Sequence, residues 1–186
     1  AKYCKNAKII QLDTDLSEIN KNVKVDVGII GDIVSSLSRI LERCEKQSHP
    51  EWNEEIAELK AKGREISDKN EAADKYALTP KKMFDIINAV KDENTVIATD
   101  VGQHQMWAAQ YTDFERTRRF ASSGGLGTMG YGLGAAIGAQ IASGDRTVLI
   151  TGDGSFGMNL NELATAVTYN TPVAIVIMDN GVLGMV

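Results

Sequence analysis

Cysteine is almost missing from this chain. Among 186 residues only Cys4 and Cys44 occur, and their spacing makes neither a metal-ligand pattern nor a disulfide framework. Both read as structural thiols, and such sparing use fits a reducing, cytoplasmic setting. Long hydrophobic runs are lacking too. None approaches the roughly 18 residues that a membrane-spanning helix needs. Aromatic residues are few, 6% against 43% apolar, which fits an α/β protein with an aliphatic core. Positive charge is not in excess: the net charge is -5 and the isoelectric point is near 5.1. That balance argues against nucleic acid as a principal partner. There are no internal repeats.

What is present is concentrated near the C-terminus. Gly152-Asp153-Gly154 is followed, after 24 intervening residues, by Asp179-Asn180. Each piece sits behind a short apolar run, residues 147–151 and 173–178, of the length and β-branched content of buried strands. The stretch from Leu160 to Tyr169 is long enough for one helix. A strand–helix–strand unit returns parallel and right-handed, so both strands end on the same sheet edge. Asp153 and Asn180 are thereby expected side by side, where ligands of open α/β sheets bind. A carboxylate and an amide oxygen on adjacent loops suit a hard cation such as Mg2+, particularly one carrying phosphate oxygens. The glycines flanking Asp153 allow close backbone approach to a phosphate.

The rest of the chain reads as two parts joined by a polar stretch. Residues 7–12 and 23–30 read as strands, and Gly31-Asp32 opens an amphipathic helix from Ile33 to Cys44, with Ile33, Leu37, Ile40 and Leu41 on one face. Residues 1–45 form a small α/β remnant of a preceding domain. Residues 46–75 turn polar and charged, with Trp52, Ile56, Leu59 and Ile66 at helical spacing. They read as a linker helix whose charges form a solvated face. A larger domain spans 76–186. It opens with Thr79 as a cap and Pro80 in the first turn, then a helix over 81–90 with Met83, Ile86, Ile87 and Val90 inward. A strand at 95–99 turns through 100–104 into a helix. Phe120 to Ser123 is a short strand, and a small-faced helix covers about 130–143. The fold class is α/β, a parallel sheet flanked by helices. The chain starts near one strand and stops within a ligand loop, so it reads as a piece of something longer.

Gly125-Leu-Gly127-Thr-Met-Gly130 matches G-x-G-x-x-G, the dinucleotide fingerprint. That reading leaves Asp179-Asn180 and the paired glycines around Asp153 without a purpose. Tight helix–sheet packing is the plainer reason for Gly134 and Gly138. His104 lies at a strand-to-helix turn on the same sheet edge, where a helix N-terminus favours anions, and it is expected to touch ligand. His49 is expected on the surface. Met129, at the tip of a glycine-rich loop, is placed to press on a planar ring. Gln105 and Met106 face either core or cofactor, and spacing leaves both open.

Together these residues resemble the C-terminal part of the thiamine diphosphate enzymes, and within them the acetolactate (acetohydroxyacid) synthase large-subunit family. The likeness rests on residues 101–110, 123–130, 152–154, 179–180 and 184–186, with 10–19 and 31–32 in the early segment. It implies that Asp153 and Asn180 bind Mg2+ through side chains and Val182 through its carbonyl. It implies thiamine diphosphate held by Val101, Gly102, Gln103, His104, Gly152, Gly154, Ser155, Gly184 and Met185, with Gly127 and Met129 bending its rings together. Asp13, Thr14, Glu18, Gly31, Asp32, Gln105 and Met106 match flavin-contact positions, which makes FAD a further cofactor and residues 1–45 the end of an FAD-binding middle domain. The implied reaction is decarboxylation of pyruvate and carboligation to a second 2-keto acid (pyruvate or 2-ketobutyrate), in branched-chain amino acid biosynthesis. The implied assembly is a homodimer or higher homo-oligomer, with a regulatory small subunit as a further partner.

Leu16 and Gly134 stand where that family has proline, and Asp179 where it has asparagine. The first two loosen the backbone; the third adds negative charge beside the expected diphosphate. No residue matches the family's activating glutamate, which belongs to an N-terminal domain, so this chain alone is expected to be inactive. The alternatives are another thiamine diphosphate enzyme of 2-keto acids (pyruvate oxidase, glyoxylate carboligase, a decarboxylase) and a non-catalytic thiamine diphosphate-binding module.

Overall fold

The computed structural model describes residues 5–73 and 78–185, so Cys4 and Val186 lie outside the described residues. The chain divides into two compact units, Ala1–Ile66 and Ser67–Val186, and the division falls inside one long helix.

In the first unit, β1 (Ile10–Asp13) pairs in parallel with β2 (Val27–Ile30), Asp13 opposite Ile30. Parallel pairing needs a crossover of about a dozen residues or more, and here it is irregular, holding one 3-10 turn at Leu16–Glu18. The second strand is shorter than its alternation suggests. Asn20 Oδ1 accepts the Val25 N–H at 2.8 Å and Asp26 Oδ2 accepts that of Ile9 at 2.8 Å, so side chains occupy backbone groups ahead of the ladder. Helix α1 (Ile33–Leu41) starts where Asp32 Oδ1 accepts the Ser35 N–H at 2.8 Å, an N-cap that holds the Asp32 carboxyl below its ordinary range. It ends three residues short of Cys44, which is free and exposed. Helix α2 (Pro50–Ala73) carries Trp52, Leu59 and Ile66, all exposed; His49, just before it, is exposed too.

The second unit is a four-stranded, wholly parallel sheet in the order β4-β3-β5-β6. Its strands are β3 (Val96–Thr99), β4 (Phe120–Ala121), β5 (Thr147–Gly152) and β6 (Val173–Met178). Alternating strand residues feed two cores, one on each face. Ile97 and Ile150 pack with Phe84 and Ile87 of α3 (Pro80–Val90) and Ala108 of α4 (Gln103–Tyr111). Ala98 and Leu149 pack with Leu133, Ala136 and Ile137 of α5 (Tyr131–Ser143). Two short helices, α6 (Asp153–Asn159) and α7 (Leu163–Thr168), lead to β6. The α/β class with a helix-flanked parallel sheet is as the sequence indicates.

Three details differ. On α3, Ile86 and Val90 face solvent while Phe84 is fully buried, because the inward stripe runs through Phe84 and Ile87. On α5, a Cβ at Gly134 or Gly138 would meet nothing within 4 Å, so helix–sheet packing does not require those glycines. The close approach is at Gly132, where a Cβ would lie 2.8 Å from Leu149 Cδ1 and 2.9 Å from Asp100 N. Finally, the Gly152-Asp153-Gly154 segment opens α6 rather than a loop.

Candidate functional site

From β3 the chain runs by way of α4 to β4 on one side. It then crosses back through α5 to β5 on the other side of β3. The carboxyl end of β3 is therefore a point where connections diverge, the place where open α/β sheets bind ligands. A cavity of about 310 Å³ lies there. Val101, Gly102, Gln103, His104 and Trp107 line it from the β3–α4 turn, and Gly127 and Met129 from the glycine-rich loop. Gly152, Asp153, Gly154 and Ser155 come from the β5–α6 turn, and Met178, Asn180, Val182, Leu183, Gly184 and Met185 from β6 and the segment after it. The β5–β6 register sets Gly152 opposite Met178. Asp153 and Asn180 thus leave adjacent strands on one edge, as parallel pairing requires.

All the residues assigned from sequence to the diphosphate, the cofactor rings and the cation surround this single cavity. Of the positions matched to flavin contacts, Asp13, Thr14, Gly31 and Asp32 share the carboxyl edge of the β1–β2 pair, and Glu18 pairs with Lys21. Gln105 and Met106 do not line the cavity. The Gln105 amide donates to Ser122 Oγ at 2.7 Å, and Met106 is exposed. Sequence reasoning missed Trp107, Met178 and Leu183 as wall residues. Trp107 sits three positions after His104 on the same helix, a spacing that places both on one face.

His104 is the most constrained group of the site. It is 5% exposed, and its Nε2 has no hydrogen-bond partner. Buried polar atoms are normally satisfied, so a lone one in a cavity wall marks a ligand position. Its ring fits because the chain is glycine on either side: a Cβ at Gly152 would lie 2.9 Å from His104 Nδ1, and one at Gly102 would lie 2.7 Å from Cε1. Burial pushes the imidazole below its ordinary value of 6.5, opposed by the Asp100 charge, by a hydrogen bond to the Asp100 backbone and by the Asp153 charge. Desolvation outweighs the three, so the net shift is downward.

Around it the turns are tied together. Ser155 Oγ, 2% exposed, donates to the Val101 carbonyl at 2.9 Å, joining the starts of α4 and α6. The Asn180 amide donates to Gln103 Oε1 at 2.6 Å and Asn180 Oδ1 accepts the Val182 N–H at 3.2 Å. The last loop is thus fastened to α4, and Gly184 packs directly on the Gln103 side chain. Among the described residues no three His, Cys, Asp or Glu side chains gather as a metal cluster. Any cation here must rely on one carboxylate with amide and carbonyl oxygens, a set suited to a hard ion sharing its coordination with phosphate.

Fold, cavity and buried imidazole mark a candidate ligand site on a parallel sheet. The comparisons agree on its class. Residues 100–186 match the family described as thiamine pyrophosphate enzyme, C-terminal TPP binding domain, and the chain belongs to the thiamine pyrophosphate enzymes. Over 99% of its length it is 44% identical to a probable acetolactate synthase large subunit of Methanococcus aeolicus, covering 33% of that protein. It is 43% identical to the acetolactate synthase isozyme 1 large subunit of Escherichia coli, covering 32%, and 41% identical to the chloroplastic acetolactate synthase 1 of Nicotiana tabacum, covering 28%. Within the class it is a member of the acetolactate synthase large-subunit family. It spans about a third of the length of the curated relatives it matches.

Proposed function

We propose that this cavity binds thiamine diphosphate together with Mg2+, and that the chain serves the acetolactate synthase reaction, decarboxylating pyruvate and joining the remaining carbons to a second 2-keto acid. The observation that carries the reading is the unpartnered Nε2 of a 95%-buried His104, set in a wall formed by three neighbouring strand ends. Among the described residues two buried side-chain polar atoms lack a partner, His104 Nε2 and Thr112 Oγ1; only His104 lines the cavity, and a phosphate oxygen there would satisfy its Nε2. The donor chemistry fits the group. Asp153 and Asn180 offer oxygens at adjacent strand ends, with the Val182 carbonyl as a third. Gln103, Gly154, Ser155, Gly184 and Met185 would flank the diphosphate. Val101, Trp107, Met129, Met178 and Leu183 supply an apolar wall that keeps water from the rings, and Gly127 and Met129 would shape them.

Bound there, thiamine diphosphate supplies an electron sink for decarboxylation of 2-keto acids. The chain's own part is to hold, orient and desolvate. His104, hydrogen-bonded to the Asp100 backbone, would present Nε2 to the diphosphate. We propose that the chain by itself binds the cofactor without turning over. Residues 1–45 would be the end of an FAD-binding middle domain and 46–75 its link to the cofactor domain.

Calorimetric titration with thiamine diphosphate, with and without Mg2+, tests the reading. Saturable binding that needs Mg2+, and is lost in Asp153→Ala, is the expected result. Binding of NADH indifferent to Mg2+, with none of thiamine diphosphate, would replace it with the dinucleotide reading. Acetolactate formation at enzyme-like rates by the chain alone would refute its proposed inactivity.

A further inference from the structure

The glycine-rich wall of the cavity is held from outside its own segment. Gly130 opens α5 with φ +85°, and both polar atoms of its backbone are taken by distant side chains. Its N–H donates to Asp100 Oδ1 at 2.8 Å, and its carbonyl accepts from Asn159 Nδ2 at 3.2 Å. Asp100 follows β3 and Asn159 ends α6, so two separate connections converge on one glycine. Neither residue lines the cavity.

Asp100 is 1% exposed. The donors that reach it are neutral: besides Gly130, the Val101 N–H at 3.0 Å and the Thr151 hydroxyl at 3.4 Å. A buried carboxylate is costly unless fully hydrogen-bonded, and bonds to an ionised acceptor are stronger than neutral ones. The bond to Gly130 also puts negative charge at the start of a 13-residue helix, where it is favourable. The other end of the turn is fixed locally, since the Gly127 N–H donates to the Ser123 carbonyl and the Thr128 N–H to Ser123 Oγ, both at 3.1 Å. Between these two anchors lie Gly127 and Met129, the loop's only residues in the cavity wall.

We propose that Asp100 and Asn159 are positioning residues: by gripping the Gly130 peptide from both sides, they set Gly127 and Met129 against the rings of the bound cofactor. The inference rests on the thiamine diphosphate reading above. It separates two halves of the site, a ring-facing turn that depends on the grip and a diphosphate pocket built from other elements.

The test titrates the full chain with thiamine diphosphate and, separately, with inorganic pyrophosphate, each with Mg2+, while hydrogen exchange follows the amides of 123–130. Asn159→Asp turns the donor into an acceptor facing the Gly130 carbonyl. It is expected to speed exchange in the turn and to weaken thiamine diphosphate about tenfold, the loss typical of one hydrogen bond, with pyrophosphate unchanged. Asp100→Asn, which keeps an oxygen for Gly130, should bind nearly as the parent does, while Asp100→Ala should lose thiamine diphosphate selectively. Should Asp100→Ala fail to fold, the half-buried Asn159 carries the test. Equal weakening of both ligands, or unchanged binding of both, overturns the grip. A parent chain that binds neither ligand overturns the cofactor reading and this role with it, whereas unchanged exchange in Asn159→Asp overturns the grip alone.

Discussion

The two units treat their apolar residues in opposite ways. In the second, Ile97, Ala98, Leu149 and Ile150 are 0% exposed, and helices cover both faces of the sheet. In the first, no described residue is buried. Val34 and Leu41 of its amphipathic helix are 72% and 71% exposed, and its strands are tied by side chain–backbone bonds such as that from the Gln11 amide to the Glu18 carbonyl at 2.9 Å. Local polar bonds are worth little net stability, whereas buried aliphatic side chains are worth much. The difference assigns nearly all the folding energy of this chain to the unit that carries the cavity.

The sharpest way to break that contrast is to cut the same chemistry from both units. Leu149→Ala should cost roughly 2–5 kcal/mol, as buried leucines do, while Leu41→Ala should stay within about 0.5 kcal/mol. Urea unfolding reads each variant through the tryptophan of its own unit, Trp107 in a Trp52→Phe background for Leu149→Ala and Trp52 in a Trp107→Phe background for Leu41→Ala, and comparable losses would erase the distinction. A second comparison lies within α5. Gly132→Ala forces a Cβ against Leu149 and the Asp100 backbone and should destabilise by about 1–3 kcal/mol. Gly134→Ala points into open space and should stabilise by up to about 1 kcal/mol through helix propensity. Thermal melts of the two variants give the sign directly.

The smallest expected effect is a pH dependence confined to the second unit. Because the folded His104 has a pKa below 6.5, the unfolded chain binds the extra proton first as pH falls. Stability is therefore full above pH 6.5 and declines below it. His104→Gln should remove that decline, and a decline of the same size in the variant would assign it to other groups.

The parts legible in the sequence are those where burial dictates residue type. β5 is a continuous aliphatic run because a central parallel strand covered on both faces needs one, and the placement of Asp153 and Asn180 follows from the parallel pairing of β5 with β6. The part not legible is where tertiary contacts override propensity. Gly154 and Gly157 argue against a helix over 153–159, yet α6 forms, with Ser155 bonded to the Val101 carbonyl and Phe156 packed against the core. The same limit hid Asp100 and Asn159, whose bonds to Gly130 span 30 and 29 residues. Phe84 was overlooked because an i, i+3, i+4, i+7 pattern through Met83, Ile86, Ile87 and Val90 fits a helix equally well with its stripe turned by one position.

Crystallising the chain with Mg2+ and thiamine diphosphate tests the central claim most directly. Density for one ion bound by Asp153 and Asn180 oxygens, with a diphosphate oxygen at His104 Nε2, is the expected result. A diphosphate bound elsewhere, or an ion that reaches only one of those two side chains, would contradict it.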